Sequence, residues 1–272
     1  MFAYCTLLSN PQYMPGAVAL ARSLQAMRAR APLIVLVPEQ TIGQMDAGLL
    51  ERHGCELRAV PPLPLSAQFC ARHATAALGR AAPFTRGTKP QFHETLNNFL
   101  KLRCWELTEY EKVVFLDADT VVVRNVDRLF EYPAFGAAPN LYQELEDFGR
   151  MNSGVFVARP SAAEFERLLA QLDAPGAFWR RTDQTFLEAM FPAWCVLPHW
   201  YNTLQYLFFN QPQLWIPERI GIIHYQYEKP WMAEHPKREL LAPLIEFWRR
   251  IYEEGEVGQV PSPRVGLPCL SA

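Results

Sequence analysis

Short apolar runs alternate with amphipathic stretches through the first sixty residues. Phe2 to Leu8 is apolar, and Gly16 to Met27 then places Ala17, Leu20, Ala21, Leu24 and Met27 at the spacing of a helix with one buried face. Pro32 to Val37 is a β-branched run bounded by proline, Thr41 to His53 reads as a helix closed by Gly54, and Cys55 to Val60 is a third strand. This βαβαβ rhythm predicts an α/β fold with a Rossmann-like, mostly parallel central sheet flanked by helices.

Pro61 to His93 breaks the rhythm with five prolines and a helical stretch at Ser66 to Leu78. A segment of that length inside a compact domain suggests a mobile, lid-like insertion. A helix from about Glu94 to Leu107 follows, then a strand at Lys112 to Leu116. Pro133 to Gly149 is polar and acidic and reads as a loop, either solvated or facing a substrate. Ser153 to Val157 and Ile220 to Tyr225 are strands, and Ala162 to Leu172 and Leu240 to Tyr252 are helices. The expected organisation is one domain over residues 1–254, with 61–93 as its insertion and 255–272 as a loosely attached tail containing three prolines.

Half of the 272 residues are hydrophobic, enough for a sizeable core. A net charge of -2 removes the electrostatic case for nucleic-acid binding. No apolar run approaches a membrane span, and Met1 to Leu8 lacks the positive start of a signal peptide. Six scattered cysteines form no CxxC pair, which fits a reducing, cytoplasmic location.

The sharpest chemical signal is Val113-Val114-Phe115-Leu116-Asp117-Ala118-Asp119-Thr120. A buried strand ends in two carboxylates two positions apart, which an extended backbone turns to one side. Ligands of open α/β sheets bind beyond the carboxyl ends of strands, so Asp117 and Asp119 can converge on one hard cation there. Far downstream, Ile222-Ile223-His224 puts an imidazole at another strand end, followed by Lys229-Pro230-Trp231. A lone histidine in that position is ordinarily a core residue. With two carboxylates it makes a donor set suited to manganese better than to calcium. Lysines are scarce (five of 26 basic residues), so Lys101 and Lys229 stand out as point charges for a phosphate.

These residues resemble glycosyltransferase family 8, the group that includes glycogenin and galactinol synthase. The resemblance covers about residues 2 to 250 and rests on seven motifs in the family's order. They are Thr6-Leu7-Leu8-Ser9-Asn10 with Tyr13, the Lys101–Leu107 helix, Asp117-Ala118-Asp119-Thr120, Asn152-Ser153-Gly154-Val155-Phe156-Val157, Asp183-Gln184, Tyr201-Asn202, and His224 with Lys229-Pro230-Trp231. The resemblance implies a GT-A fold and a UDP-sugar donor, with UDP-glucose and UDP-galactose foremost. It also implies transfer to a hydroxyl acceptor with retained anomeric configuration, and manganese, with magnesium as the alternative ion. Asp117, Asp119 and His224 would hold the metal. Leu7, Ser9, Asn10, Tyr13 and Ala118 would meet the nucleotide, and Lys101 and Lys229 the diphosphate. Asn152, Ser153 and Gly154 would meet the sugar, with Asp183, Gln184 and Asn202 catalytic. Two of these residues have ordinary readings as well: Tyr13 as packing at a helix start, and Asp183 as a helix N-cap.

The chain departs from the pattern in three places. Tyr225-Gln226-Tyr227-Glu228 carries no glycine where the family has one, so Tyr227 is expected to cover the diphosphate. Arg86, Lys89 and His93 stand where the family often has one arginine before the lysine-bearing helix. Tyr206 is the only phenol in Thr203–Phe209, the stretch after Tyr201-Asn202, and is offset from glycogenin's self-glucosylated tyrosine, so self-glycosylation is not expected. The other readings are a nucleotide-sugar-binding protein without activity and a haloacid-dehalogenase-type phosphatase, whose DxDx(T/V) motif Asp117–Val121 also fits. That motif normally opens its domain, and here about 110 residues precede it. A homodimer, with the aromatic stretch Tyr201–Trp215 as interface or core, is a candidate assembly.

Overall fold

The computed structural model describes residues 1–84 and 86–263. A seven-stranded sheet runs β3-β2-β1-β4-β7-β6-β8, built from β1 (Phe2–Leu7), β2 (Leu33–Pro38), β3 (Cys55–Val60), β4 (Lys112–Leu116), β6 (Gly136–Pro139), β7 (Met151–Ala158) and β8 (Cys195–Val196). The four strands β3-β2-β1-β4 are parallel. β7 is antiparallel to both β4 and β6. A second sheet of three short strands, β5-β10-β9, comprises β5 (Thr120–Val122), β9 (Thr203–Leu204) and β10 (Ile222–His224).

Both faces of the inner strands β2, β1, β4 and β7 are buried, which is why these read as nearly unbroken apolar runs, whereas the edge strand β3 carries Glu56 and Arg58. Ala3, Cys5, Val113, Phe115, Phe156 and Ala158 pack on one side against α3 (Ala67–His73), α5 (Ala162–Leu172), α6 (Asp183–Met190) and a 3-10 helix, Leu96–Glu106. Tyr4, Val114, Leu116, Val155 and Val157 face α1 (Met14–Ala26) and α2 (Ala47–Arg52) on the other side. A third cluster joins the small sheet to α8 (Arg238–Glu254). The expected strand and helix order of the first sixty residues is present.

Several expectations need correction. Thr41 to His53 is not one helix. A 3-10 turn at Ile42–Gln44 precedes α2, because the Asp46 carboxylate accepts from Leu49 N at 2.9 Å and caps a new start. Ser66 to Leu78 is likewise divided, into α3 and α4 (Thr75–Ala81), by an extended Ala74. The carbonyl of His73 accepts from Thr95 Oγ1 at 2.6 Å instead of continuing a helix. Residues 133–149 contain β6, whose Gly-Ala-Ala-Pro carries no alternation that period-based reading could detect. The tail is docked as far as it is described: Val260 is buried and Trp215 Nε1 donates to Pro261 O at 2.7 Å. The rest of the tail, 264–272, lies outside the described residues, as does Cys269. Among the described residues, no helix is long and apolar enough to cross a membrane.

Candidate active site

Beyond the carboxyl end of β4 lies a cavity of about 360 Å³. Three backbone pairings assemble its floor. Asp117 N donates to Gly154 O at 2.8 Å, which lays Asn152-Ser153-Gly154 of β7 beside the first carboxylate. β5 starts directly after Asp119, and β10 pairs antiparallel with it so that His224 stands opposite Thr120. Tyr225 N then donates to Asp119 O at 2.8 Å. His224 is thereby delivered to the two aspartates from more than a hundred positions away.

Asp117, Asp119 and His224 each offer a ligand atom, and these atoms lie within 4.8 Å of one another. His224 Nε2 is 3.2 Å from Asp119 Oδ1 and 3.8 Å from Asp117 Oδ2. Two carboxylates and one imidazole nitrogen form a mixed O/N donor set that suits a divalent first-row ion. Two lysines balance the acids. Lys229 Nζ pairs with Asp119 and donates to Tyr225 O at 3.0 Å. Lys101 Nζ lies 3.0 Å from Asp117 Oδ1 and 2.8 Å from Asp183 Oδ2. Burial by itself would raise the Asp119 carboxyl, but Lys229 and His224 outweigh it and hold it well below the usual carboxylate range. Burial would likewise lower the Lys101 ammonium, and Asp117 and Asp183 raise it above the ordinary lysine range.

Of the donor-binding candidates, Leu7, Ser9, Tyr13, Lys101, Ala118, Asn152, Ser153 and Lys229 line the cavity, as do Asp183 and Gln184. Asn10, Gly154 and Asn202 do not. Asn10 spends its amide within the fold, accepting from Gln12 N at 3.0 Å and donating to Phe92 O at 2.9 Å. At Gly154 a Cβ would collide with the His224 ring, 2.6 Å from Nδ1, so this glycine makes room for the imidazole rather than for a sugar. Asn202 is 1% exposed and bonded to His224.

Asp183 is not a side-chain N-cap. It is the first residue of α6, and its oxygens accept from Ser153 Oγ at 2.6 Å, Thr182 Oγ1 at 2.8 Å and Lys101. The Gln184 side chain faces the cavity with no hydrogen-bond partner among the described residues. Tyr13 Oη lies 3.2 Å from His93 Nδ1, and its ring stands edge-on to Phe92 and Trp231.

Tyr227 keeps the backbone a glycine would have, with φ of 63°. Its ring packs with Tyr206, Tyr142 and Phe84 at 5.5, 5.6 and 6.0 Å between centroids and forms one wall of the cavity. Lys89 Nζ sits 5.4 Å from the Phe84 ring and 5.2 Å from the Tyr227 ring, with no ion pair among the described residues. Burial, reinforced by Lys229, pushes this ammonium down to about 8. Tyr206 is buried, and its hydroxyl donates to Glu228 Oε2 at 2.7 Å and accepts from Lys237 at 2.8 Å, so it is not poised as an acceptor.

Sequence reasoning passed over Asn98, Asn140, Tyr142, Arg180, Arg181 and Gln226, all of which line the cavity. Nothing in the local pattern marks them. Asn140 follows β6, whose residues carry no strand alternation, and the two arginines stand before Thr182 and Asp183 in a stretch without periodicity.

The comparisons with known proteins agree with this geometry. The sequence model of glycosyl transferase family 8 matches residues 4–235. The chain belongs to glycosyltransferase family 8. It is 30% identical to UDP-glucuronate:xylan alpha-glucuronosyltransferase 2 of Arabidopsis thaliana, over 85% of this chain and 36% of that protein. Human glycogenin-1 is 34% identical over 74% of this chain and 53% of its own length. Galactinol synthase 1 of Solanum lycopersicum is 28% identical over 93% and 82%. The chain thus spans only about a third of the length of the xylan glucuronosyltransferases it matches. In three dimensions it superposes on the galactosyltransferase LgtC, solved with donor and acceptor sugar analogues, with a TM-score of 0.60 at 16% identity, covering 96% of this chain and 98% of that one. The fold of this family 8 member is GT-A. Family membership sets aside the phosphatase reading of Asp117–Val121.

Proposed function

We propose that the protein transfers a hexose from a UDP-sugar, foremost UDP-glucose or UDP-galactose, to a hydroxyl acceptor with retention of configuration, using manganese. The observation that carries this reading is the convergence of Asp117, Asp119 and His224 beside two buried lysines at the end of β4. When bound, the ion supplies Lewis-acid neutralisation of the diphosphate leaving group.

The chain's own residues do the rest. Tyr13, with Leu7 and Ser9 beside it, offers a ring on which a base can stack. Lys229 and Lys89 place positive charge where the diphosphate gathers negative charge as the glycosidic bond breaks; removing such a group costs roughly 10²–10³ in kcat. Lys101 clamps Asp117 to Asp183 and so fixes the metal-side carboxylate relative to the sugar side. Gln184 is free to meet the sugar. Because Asp183 already accepts from three protein donors, it is a poor nucleophile, and we favour front-face attack in which the leaving phosphate takes the acceptor's proton. Recovery of a glycosyl adduct on Asp183 would overturn that route. The scattered thiols fit a cytoplasmic setting.

A second reading concerns the donor. Arg180 and Arg181 line the cavity and form no ion pair among the described residues, Arg181 donating instead to the carbonyls of Ala82 and Pro83, whereas Arg86 and Arg150 are matched by Asp147 and Glu188. Unmatched cations beside Asp183 would suit a carboxylated sugar, and relatives of this chain act on UDP-glucuronate. Calorimetry of UDP-glucose, UDP-galactose and UDP-glucuronate with manganese, followed by donor hydrolysis assays, tests both. No binding of any UDP-sugar in the presence of the ion refutes the transferase.

A further inference from the structure

Behind His224 runs a buried row of side-chain amides whose orientations follow from one unambiguous donor. Gly154 N can only donate, and it does so to Asn152 Oδ1 at 2.8 Å. That fixes the Asn152 amide, whose Nδ2 donates to Asn140 Oδ1 at 2.8 Å. Asn202 must therefore turn its own Nδ2 to Asn152 Oδ1, at 2.9 Å. Its Oδ1 is left facing His224 Nδ1 at 2.9 Å. An amide oxygen accepts and never donates, so Nδ1 carries the hydrogen and Nε2 alone is presented to Asp117 and Asp119. Asn140, Asn152, Asn202 and His224 are 7%, 3%, 1% and 4% exposed, so water cannot stand in for a lost partner. Gly154 closes the arrangement, because any Cβ there would displace the ring.

We infer that Asn202 is a positioning residue that fixes the tautomer and orientation of His224 for cation binding, acting through the amide row anchored on Gly154, and not a residue that touches the acceptor. The inference rests on the metal-dependent reading above. It corrects the catalytic role expected for Asn202 from its motif. Imidazole ligands commonly donate their second ring nitrogen to an oxygen, and removal of that partner weakens metal affinity 10- to 100-fold. Here the partner is itself held by two further amides, so the preference is transmitted from the backbone of β7.

The test compares the parent with Asn202→Leu and Asn202→Asp. Manganese affinity is read by electron paramagnetic resonance of the free ion, and the ring-nitrogen shifts of His224 by NMR, assigned with His224→Gln. Asn202→Leu is expected to lose manganese affinity by about 10- to 100-fold. Its kcat should be restored at saturating metal and its acceptor KM unchanged. Asn202→Asp keeps an acceptor opposite Nδ1 but sets its second oxygen against Asn152 Oδ1, so it is expected to retain the Nδ1–H tautomer while losing stability. Folded Asn202→Leu that binds manganese like the parent, or that changes only the acceptor KM, overturns the positioning role. Should the leucine variant not fold, the parent decides: a His224 ring whose hydrogen sits on Nε2 and not on Nδ1 overturns it equally. A parent that binds no divalent ion brings down the metal reading and this role together, which distinguishes that failure from the others.

Discussion

Asp119 and Lys229 form a buried pair, and each is the other's compensation. Truncating Asp119 to alanine would strand an ammonium in the interior, a loss that can reach about 3–5 kcal/mol. Asp119→Asn keeps the shape and removes the charge. It should abolish manganese-dependent UDP binding in calorimetry while circular dichroism stays that of the parent; unchanged binding would place the metal elsewhere. Lys89 gives a second prediction at this scale. Its ammonium is pushed down to about 8 in the free protein. Above that pH it is largely neutral, and a diphosphate beside it restores the charged form by raising its pKa. UDP binding at about pH 9 should therefore take up protons, whereas at about pH 7, below the shifted value, Lys89 is already charged and contributes no uptake. Calorimetry in buffers of differing ionisation enthalpy measures this, and Lys89→Arg, which stays charged throughout, should remove the difference.

Helix α1 approaches the Asp117–Asp119 loop through Gly16. A Cβ there would strike Ala118 O and lie 2.7 Å from the Trp231 ring. Gly16→Ala should force the helix outward and cost about 1–3 kcal/mol, as overpacking does. It should also weaken UDP binding, since Tyr13 sits at the start of the same helix; a melting temperature and UDP affinity equal to the parent's would refute the packing argument. The 3-10 helix Leu96–Glu106 shows a different kind of control. Its turns bury Phe99, Leu100, Leu102 and Trp105 while bringing Lys101 to Asp117 and Asp183. A helix was legible there from the apolar residues, but its tighter winding was not, because winding answers to the space available against β1, β2 and α5.

At the scale of the molecule, Glu228 ties three distant segments together. Its carboxylate accepts from Thr88 N at 2.9 Å, Lys237 Nζ at 2.8 Å and Tyr206 Oη at 2.7 Å. Residues 86–89, the loop after His224 and the start of α8 thus meet at one buried charge. Burial would raise this carboxyl, and Lys237 leads the contacts that hold it below its usual range instead. Glu228→Ala should destabilise the fold by about 3 kcal/mol, the low end for a broken buried pair because Lys237 is a quarter exposed. Amide hydrogen exchange should accelerate at residues 86–89 before it does in β1 or β4. Uniform acceleration across the sheet would show that Glu228 serves global stability and not the attachment of this wall of the cavity.

The sequence alone determined whatever depends on short-range periodicity and on residue type. It placed the parallel strands, of which β1, β2 and β4 are apolar because both faces are covered, and α1 and α5, whose apolar spacing matches one helical face. It also marked Asp117 and Asp119, because two carboxylates two positions apart at the end of a buried strand turn to one side and can share a cation. Tertiary structure decided what depends on pairing between remote segments. That Asn202 turns inward to His224 and not outward to a substrate follows from the register of β10 against β5 and β9. That Asn10 is spent on Phe92, and that Asn140 and Arg181 reach the cavity, follows from where the segments around them close. Periodicity reports which face of an element is buried; it carries no information on which buried groups face one another.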